Sequence, residues 1–154
     1  MGSKFVYVAA SFAYEDKTKT EERKKQIEEV VKKIKKLVGR NFMWYLPHQF
    51  KVENAWDISL EEWSKKVYDH DIQTLNNADI IIFISFGKEN NAGAVWEVGY
   101  SVAMEKKIIC VKMTDEPESL MISNSVNTII KKEEIDSYDW NTLPNYKTNL
   151  DKLS

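Results

Sequence analysis

Short apolar runs alternate with longer amphipathic ones along almost the whole of this chain, and that alternation limits what it can fold into. The most apolar run is Asp79-Ile80-Ile81-Ile82-Phe83-Ile84-Ser85. A strand with no polar face has to be covered on both sides, which is the habit of parallel sheets. Lys4 to Ala10 reads as a first strand and Phe42 to Leu46 as a short second one, stopped at Pro47. Lys107 to Met113 reads as a fourth, and Val126 to Ile130 as a fifth. Between them, Glu21 to Val38 carries Ile27, Val30, Val31, Ile34, Leu37 and Val38 at helical spacing. Ser59 opens a second helix running to about Asn77, with Glu61 and Glu62 favourably placed at its positive end. Ala92 to about Met104 reads as a third helix.

Strands alternating with helices give a mostly parallel sheet covered on both faces. With five strands, the predicted fold is α/β, a flavodoxin-like doubly wound parallel sheet with helices on both faces, forming one domain over residues 1–154. The net charge of −2 gives no broad attraction to nucleic acid or an anionic membrane, so neither is expected as a partner. The alternating Lys and Glu of the first helix read as a solvated face. No apolar run is long enough to span a bilayer and the N-terminus has no long apolar region, so a cytoplasmic location is expected. Cys110 is the single cysteine, and its setting between Ile109 and Val111 predicts a buried thiol rather than a reactive one. Five Trp and seven Tyr suit either a base-stacking pocket or a large subunit interface.

In an open sheet of this kind ligands gather beyond the carboxyl ends of the strands, so the loops after residues 10, 46, 85 and 113 are expected to meet at the site. Glu97 follows the third strand, in Asn90-Asn91-Ala92-Gly93-Ala94-Val95-Trp96-Glu97-Val98-Gly99-Tyr100. It lies more than one turn inside its helix, where the benefit of the helix dipole has faded, so a chemical role outweighs a capping one. The flanking Gly93 and Gly99 allow close approach of backbone or ligand. Asp71 interrupts the inward stripe Val67, Tyr68, Ile72 and Leu75, so it is either paired structurally or a functional acid. Tyr7 is a core tyrosine or one whose hydroxyl reaches Glu97. Gln49 lies in a loop at the ligand-binding edge, while His48 and His70 read as ordinary surface or core histidines. The loop Ala9-Ala10-Ser11-Phe12-Ala13 lacks the GxGxxG of dinucleotide sites, and there is no GxxxxGK[ST], HExxH, paired CxxC or GxSxG. No cofactor and no metal are therefore expected. Two carboxylates and aromatic residues remain, a set compatible with cleavage at an acetal-like carbon.

The chain resembles the nucleoside 2-deoxyribosyltransferase family in the order of its segments. The resemblance rests on Tyr7, on Gln49 in Leu46-Pro47-His48-Gln49-Phe50, on Asp71 in Tyr68-Asp69-His70-Asp71-Ile72, and on Gly93 to Tyr100. Leu120-Met121-Ile122, Val126 to Ile130 and Tyr138-Asp139-Trp140-Asn141 resemble the family's C-terminal part. The resemblance implies that Glu97 attacks C1′ of a 2′-deoxynucleoside, that Tyr7 orients it, and that Asp71 and Gln49 hold the nucleobase, an acid donating a proton to the departing ring. A second nucleobase then takes the sugar from the covalent ester. It further implies a homo-oligomer (dimer-based, tetramer or hexamer) with shared active sites, the segment Ser119 to Met121 entering a neighbour's pocket. Two positions depart from the pattern. Asn91 stands where the transferases usually have an Asp that contacts the base, and Ser119 where they usually have an Asn near the sugar 5′-hydroxyl. A Ser at 119 resembles the related 2′-deoxynucleoside 5′-monophosphate N-hydrolases, yet Ser11 has no adjacent Arg to complete their phosphate cradle. Base transfer is the first expectation, hydrolysis of the monophosphates the second, and a non-catalytic nucleotide-binding module the third.

Overall fold

The computed structural model describes residues 4–140. Asn141 and the residues beyond it, including the tail after Thr148 whose entry into the pocket the sequence leaves open, lie outside the described residues. Five parallel strands, β1 (Lys4–Ala10), β2 (Phe42–Tyr45), β3 (Ile80–Ser85), β4 (Lys107–Lys112) and β5 (Thr128–Lys131), form one sheet in the order β2-β1-β3-β4-β5. That is the flavodoxin-like order, with the switch point between β1 and β3. The helices are α1 (Lys17–Val38), α2 (Leu60–Asn77), α3 (Ala92–Ala103) and α4 (Leu120–Ser125). None is long and apolar enough to cross a membrane.

Alternation along the strands divides the core in two. On β1, Val6, Val8 and Ala10 pack against Ile27, Val30, Val31 and Ile34 of α1. Tyr7 and Ala9 face the other way, into a cluster with Leu75 of α2 and Ala94 and Val98 of α3. The central strand β3 feeds both clusters, Ile80, Ile82 and Ile84 to one and Ile81 and Phe83 to the other, which explains its uninterrupted apolar sequence. Cys110 is buried, as its neighbours predict.

Several boundaries differ from the sequence reading, each for a local reason. The first helix begins at Lys17, not Glu21, because the Asp16 carboxylate accepts from the backbone N–H groups of Thr18 and Lys19 and so caps a turn that has no apolar residue. Leu37 remains exposed near its far end, although Val38 beside it packs against the core. β5 lies two residues further on than expected, because Asn127 is spent holding β4: its side-chain oxygen accepts from Ile108 N–H at 2.8 Å. Helix α4 has six residues, too short for a periodic pattern, and the Ser119 hydroxyl caps it through Ile122 N–H. The stripe on α2 is not a core stripe. Among Val67, Tyr68, Ile72 and Leu75 only Leu75 is buried; the others border an open cleft.

Candidate active site

The cleft encloses about 580 Å³ beyond the carboxyl ends of the strands, between the loop after β1, the inner side of α2 and the start of α3. Ser11, Phe12, Asp71, Asn91, Gly93 and Glu97 line it, with Pro47, Tyr68, Trp96 and apolar residues completing the wall. No Lys, Arg or His is among these lining residues. Of the four loops expected to converge, the one after β4 stays away. There Glu118 lies 3.9 Å from Cys110 instead.

Glu97 reaches the cleft from the inward face of α3, the same face that buries Ala94, Val98 and Ser101. The buried Tyr7 donates its hydroxyl hydrogen bond to the Glu97 carboxylate, so it is both a core tyrosine and one whose hydroxyl reaches Glu97. Burial pushes the Glu97 acid up to about 7; the Tyr7 bond opposes this, and the negative charge of Asp71 adds to it. Burial first, and then the adjacent Glu97 charge, keep the Tyr7 phenol well above its ordinary range. Glu97 is therefore a carboxylate held by a donor that does not itself ionise.

Asp71 enters from α2. Its Oδ1 accepts from the Tyr45 hydroxyl at 2.8 Å, and that hydroxyl is also 2.9 Å from Nδ1 of His70. Burial raises the Asp71 acid, while the Tyr45 bond and His70 pull it back. Tyr45 and His70 were not singled out as functional by sequence. Tyr45 ends a strand in an aromatic run, and nothing in its spacing shows that a helix 25 residues later will lay His70 against it. Trp96 and Tyr68 form part of the mouth, their ring centroids 6.1 Å apart, and Trp96 stacks on Tyr100.

The other candidates are distributed unevenly. The Ser11 hydroxyl is buried and accepts from Asn91 N–H at 2.6 Å, while Asn91 Nδ2 donates to the Ala13 carbonyl at 2.7 Å. These two residues stitch the loop after β1 to the start of α3. Asn90 likewise holds its own turn through Phe86 N–H and Ser85 Oγ. Phe12 lies at the cleft and packs on His48, which is buried and bonded to Glu28. Gln49 is not brought into the cleft lining; it is exposed, with its side chain bonded to Glu28. Ser119 and Met121 are exposed and outside the lining formed by their own chain. At Gly93 and Gly99 a Cβ would meet nothing within 4 Å, so neither accommodates a neighbouring backbone, and the space at Gly93 belongs to the cleft. Among the described residues no three His, Cys, Asp or Glu side chains converge in a group that could hold a metal ion.

Comparison with known proteins agrees with this geometry. Over 84 residues the chain is 26% identical to a nucleoside deoxyribosyltransferase of Lactobacillus johnsonii, a match covering 53% of this chain and 56% of the relative, little more than half of its length. Among solved structures, a 2-deoxyribosyltransferase from Bacillus psychrosaccharolyticus superposes with a TM-score of 0.71 at 25% identity, covering 94% of this chain and 98% of that one. A CMP N-glycosidase of Clostridium botulinum shares the fold at a TM-score of 0.56 and 22% identity, over 88% of this chain and 100% of the other. The model of the nucleoside 2-deoxyribosyltransferase family matches residues 6–132, a span that holds Tyr7, Asp71 and Glu97, and the chain belongs to that family.

Proposed function

We propose that this protein exchanges the nucleobase of 2′-deoxynucleosides through a covalent intermediate on Glu97. The observation that carries the reading is the Tyr7–Glu97 hydrogen bond in a cleft that also holds Asp71. The ionised Glu97 carboxylate attacks C1′ on the face opposite the base. The C1′–N bond breaks, its electron pair stays on the base, and Asp71 supplies the proton that makes the base a better leaving group. The oxocarbenium-like transition state forms more readily without an electron-withdrawing 2′-hydroxyl, which favours deoxynucleosides. A second base then attacks C1′ of the ester and restores the Glu97 carboxylate. A bound acceptor base would cover the sugar in this largely apolar cleft and limit the access of water, which favours a base over water as acceptor.

The same cleft supports a nucleoside over a 5′-monophosphate. A phosphate placed there would face two carboxylates and no lining cation. A homo-oligomer is part of this reading, and the surface supports it: Leu120 and Met121 are 80% and 79% exposed, and Trp96 at the cleft mouth is 48% exposed. In an assembly these residues would be covered, and Ser119 to Met121 would close a neighbour's cleft.

The test is to incubate the protein with thymidine or deoxyinosine and excess adenine or cytosine, and to follow products by chromatography. A new deoxynucleoside is expected from the wild type and none from Glu97→Ala. Release of free base alone would replace transfer by hydrolysis, and unchanged exchange by Glu97→Ala would remove Glu97 as nucleophile.

A further inference from the structure

The chain of contacts from Asp71 through Tyr45 to His70 has only two proton arrangements that satisfy it. A phenol carries one proton and can accept a second. When Tyr45 donates to Asp71 Oδ1, the proton between Tyr45 and His70 must belong to His70 Nδ1. When Tyr45 instead donates to Nδ1, the proton between Tyr45 and Asp71 must belong to Asp71. The two contacts, 2.8 and 2.9 Å, are both short enough for full hydrogen bonds. The His70 ring is fixed in place by stacking on Phe50, with centroids 3.7 Å apart and planes 5° from parallel. Its outer side borders a separate recess of about 490 Å³, shared with Lys51, Glu53, Lys66 and Asp69. His70 thus connects the Asp71 carboxyl to solvent on the far side of the cleft wall.

We infer that His70, acting through Tyr45, is a positioning residue that sets where the catalytic proton resides, loading it onto Asp71 before the base departs. This rests on the reading of Asp71 as the acid at the nucleobase. The step moves two protons, conserves the total charge and carries one positive charge from His70 to Asp71. From imidazolium and carboxylate, Nδ1 gives its proton to the Tyr45 oxygen as Tyr45 gives its own to Asp71. His70 ends neutral with its proton on Nε2, Tyr45 ends as a phenol pointing at Nδ1, and Asp71 ends as a carboxylic acid. Asp71 then transfers that proton to the leaving base. In the second half of an exchange the incoming base must lose a proton, which returns to Asp71 and back along the same chain. The donor is therefore reset within each turnover without exchange with bulk water.

The groups facing the two ends are known. Asp71 is approached by Glu97 from α3 and by Tyr7 and Tyr45 from the sheet. His70 is approached by the Lys and acidic residues of the outer recess. Asp71 and His70 also attract each other directly, and the part of their mutual influence carried by the hydrogen-bonded chain should depend on Tyr45, whereas the direct part and the influence of the recess should not.

The experiment is a pH titration of ¹⁵N-labelled, unliganded protein, following the imidazole nitrogens by NMR. His70 and His48 are the two histidines of the sequence, and His48→Gln assigns the signals. Asp71→Asn is expected to shift the His70 midpoint by about half a pH unit or more, as coupled sites do. The same substitution made in a Tyr45→Phe background should shift it by much less. His70→Gln should lower kcat about tenfold or more at unchanged KM and flatten its pH dependence. A His70 midpoint indifferent to Asp71→Asn, or a shift that survives Tyr45→Phe in full, overturns the inference. The NMR result is independent of turnover. Coupling without any Glu97-dependent exchange would sink the proposed function alone, and Glu97-dependent exchange without coupling would sink the relay alone.

Discussion

Tyr7 and Tyr45 are register partners on neighbouring parallel strands, with ring centroids 5.3 Å apart. Partners in register point to the same face of a sheet. Two phenols are therefore presented side by side to the helices above, one bonded to Glu97 of α3 and the other to Asp71 of α2. The pair holds two carboxylates that would otherwise repel, each from its own strand of the sheet.

Removing the Tyr7 hydroxyl takes away the interaction that lowers the Glu97 acid against the effect of burial. Tyr7→Phe is expected to move the rising limb of kcat/KM to higher pH, since the nucleophile must be ionised, and to lower kcat about tenfold or more. In the wild type that limb is expected near pH 7. A pH–rate profile of both proteins decides the matter; a limb that moves to lower pH contradicts the role given to Tyr7.

Glu97 also carries a stability cost that depends on pH. Its acid is raised from 4.5 to about 7 on folding, so the folded state holds the proton more tightly than the unfolded chain. Stability therefore falls as pH rises between those two values and stays reduced above them. Glu97→Gln keeps an acceptor for Tyr7 and is expected to stabilise the fold by about 1–2 kcal/mol at pH 8, with little effect at pH 4. Urea unfolding at both pH values measures this, and equal changes at the two would contradict it.

Asn91 acts as a donor to the Ala13 carbonyl. Asn91→Asp restores the residue usual in the transferases but sets a carboxylate against that carbonyl. A loss of about 1–2 kcal/mol is expected from the broken bond and the unpaired acceptor, seen as a lower Tm by calorimetry. An unchanged Tm would mean that the Asn91–Ala13 bond adds little to the other contacts holding the loop after β1, among them Ser11 with Asn91 N–H and Tyr14 with the Glu89 carbonyl.

Cys110 is fully buried, and burial pushes its thiol up, so it should be unreactive in the folded protein. Dithionitrobenzoate is expected to find almost no thiol in the native state and one per chain in denaturant. Rapid native labelling would mean that β4 opens locally.

What the sequence revealed, it revealed through burial patterns. The unbroken apolar run of β3 and the alternating strand β1 were legible because each must satisfy a two-sided core. Glu97 was legible because an acid inside an apolar helix after a buried strand needs a reason. Asp71 was noticed on a stripe assigned to the core, yet the stripe lines an open cleft, and helical spacing cannot tell the two apart. Tyr45 and His70 escaped notice because their meeting depends on how α2 crosses β2, which no local pattern encodes. The amide of Asn91 looked free for a ligand for the same reason: its partner, Ala13, is 78 residues away.

The lengths of the outermost strands have a consequence of their own. β2 and β5 bound the sheet and contain four residues each, against seven in β1 and six in β3 and β4. A short border offers few unsatisfied backbone groups on which another chain could zip up, so the sheet resists growing sideways into a fibril. Long, template-ready β-structure is kept in the middle, where both flanks are already taken.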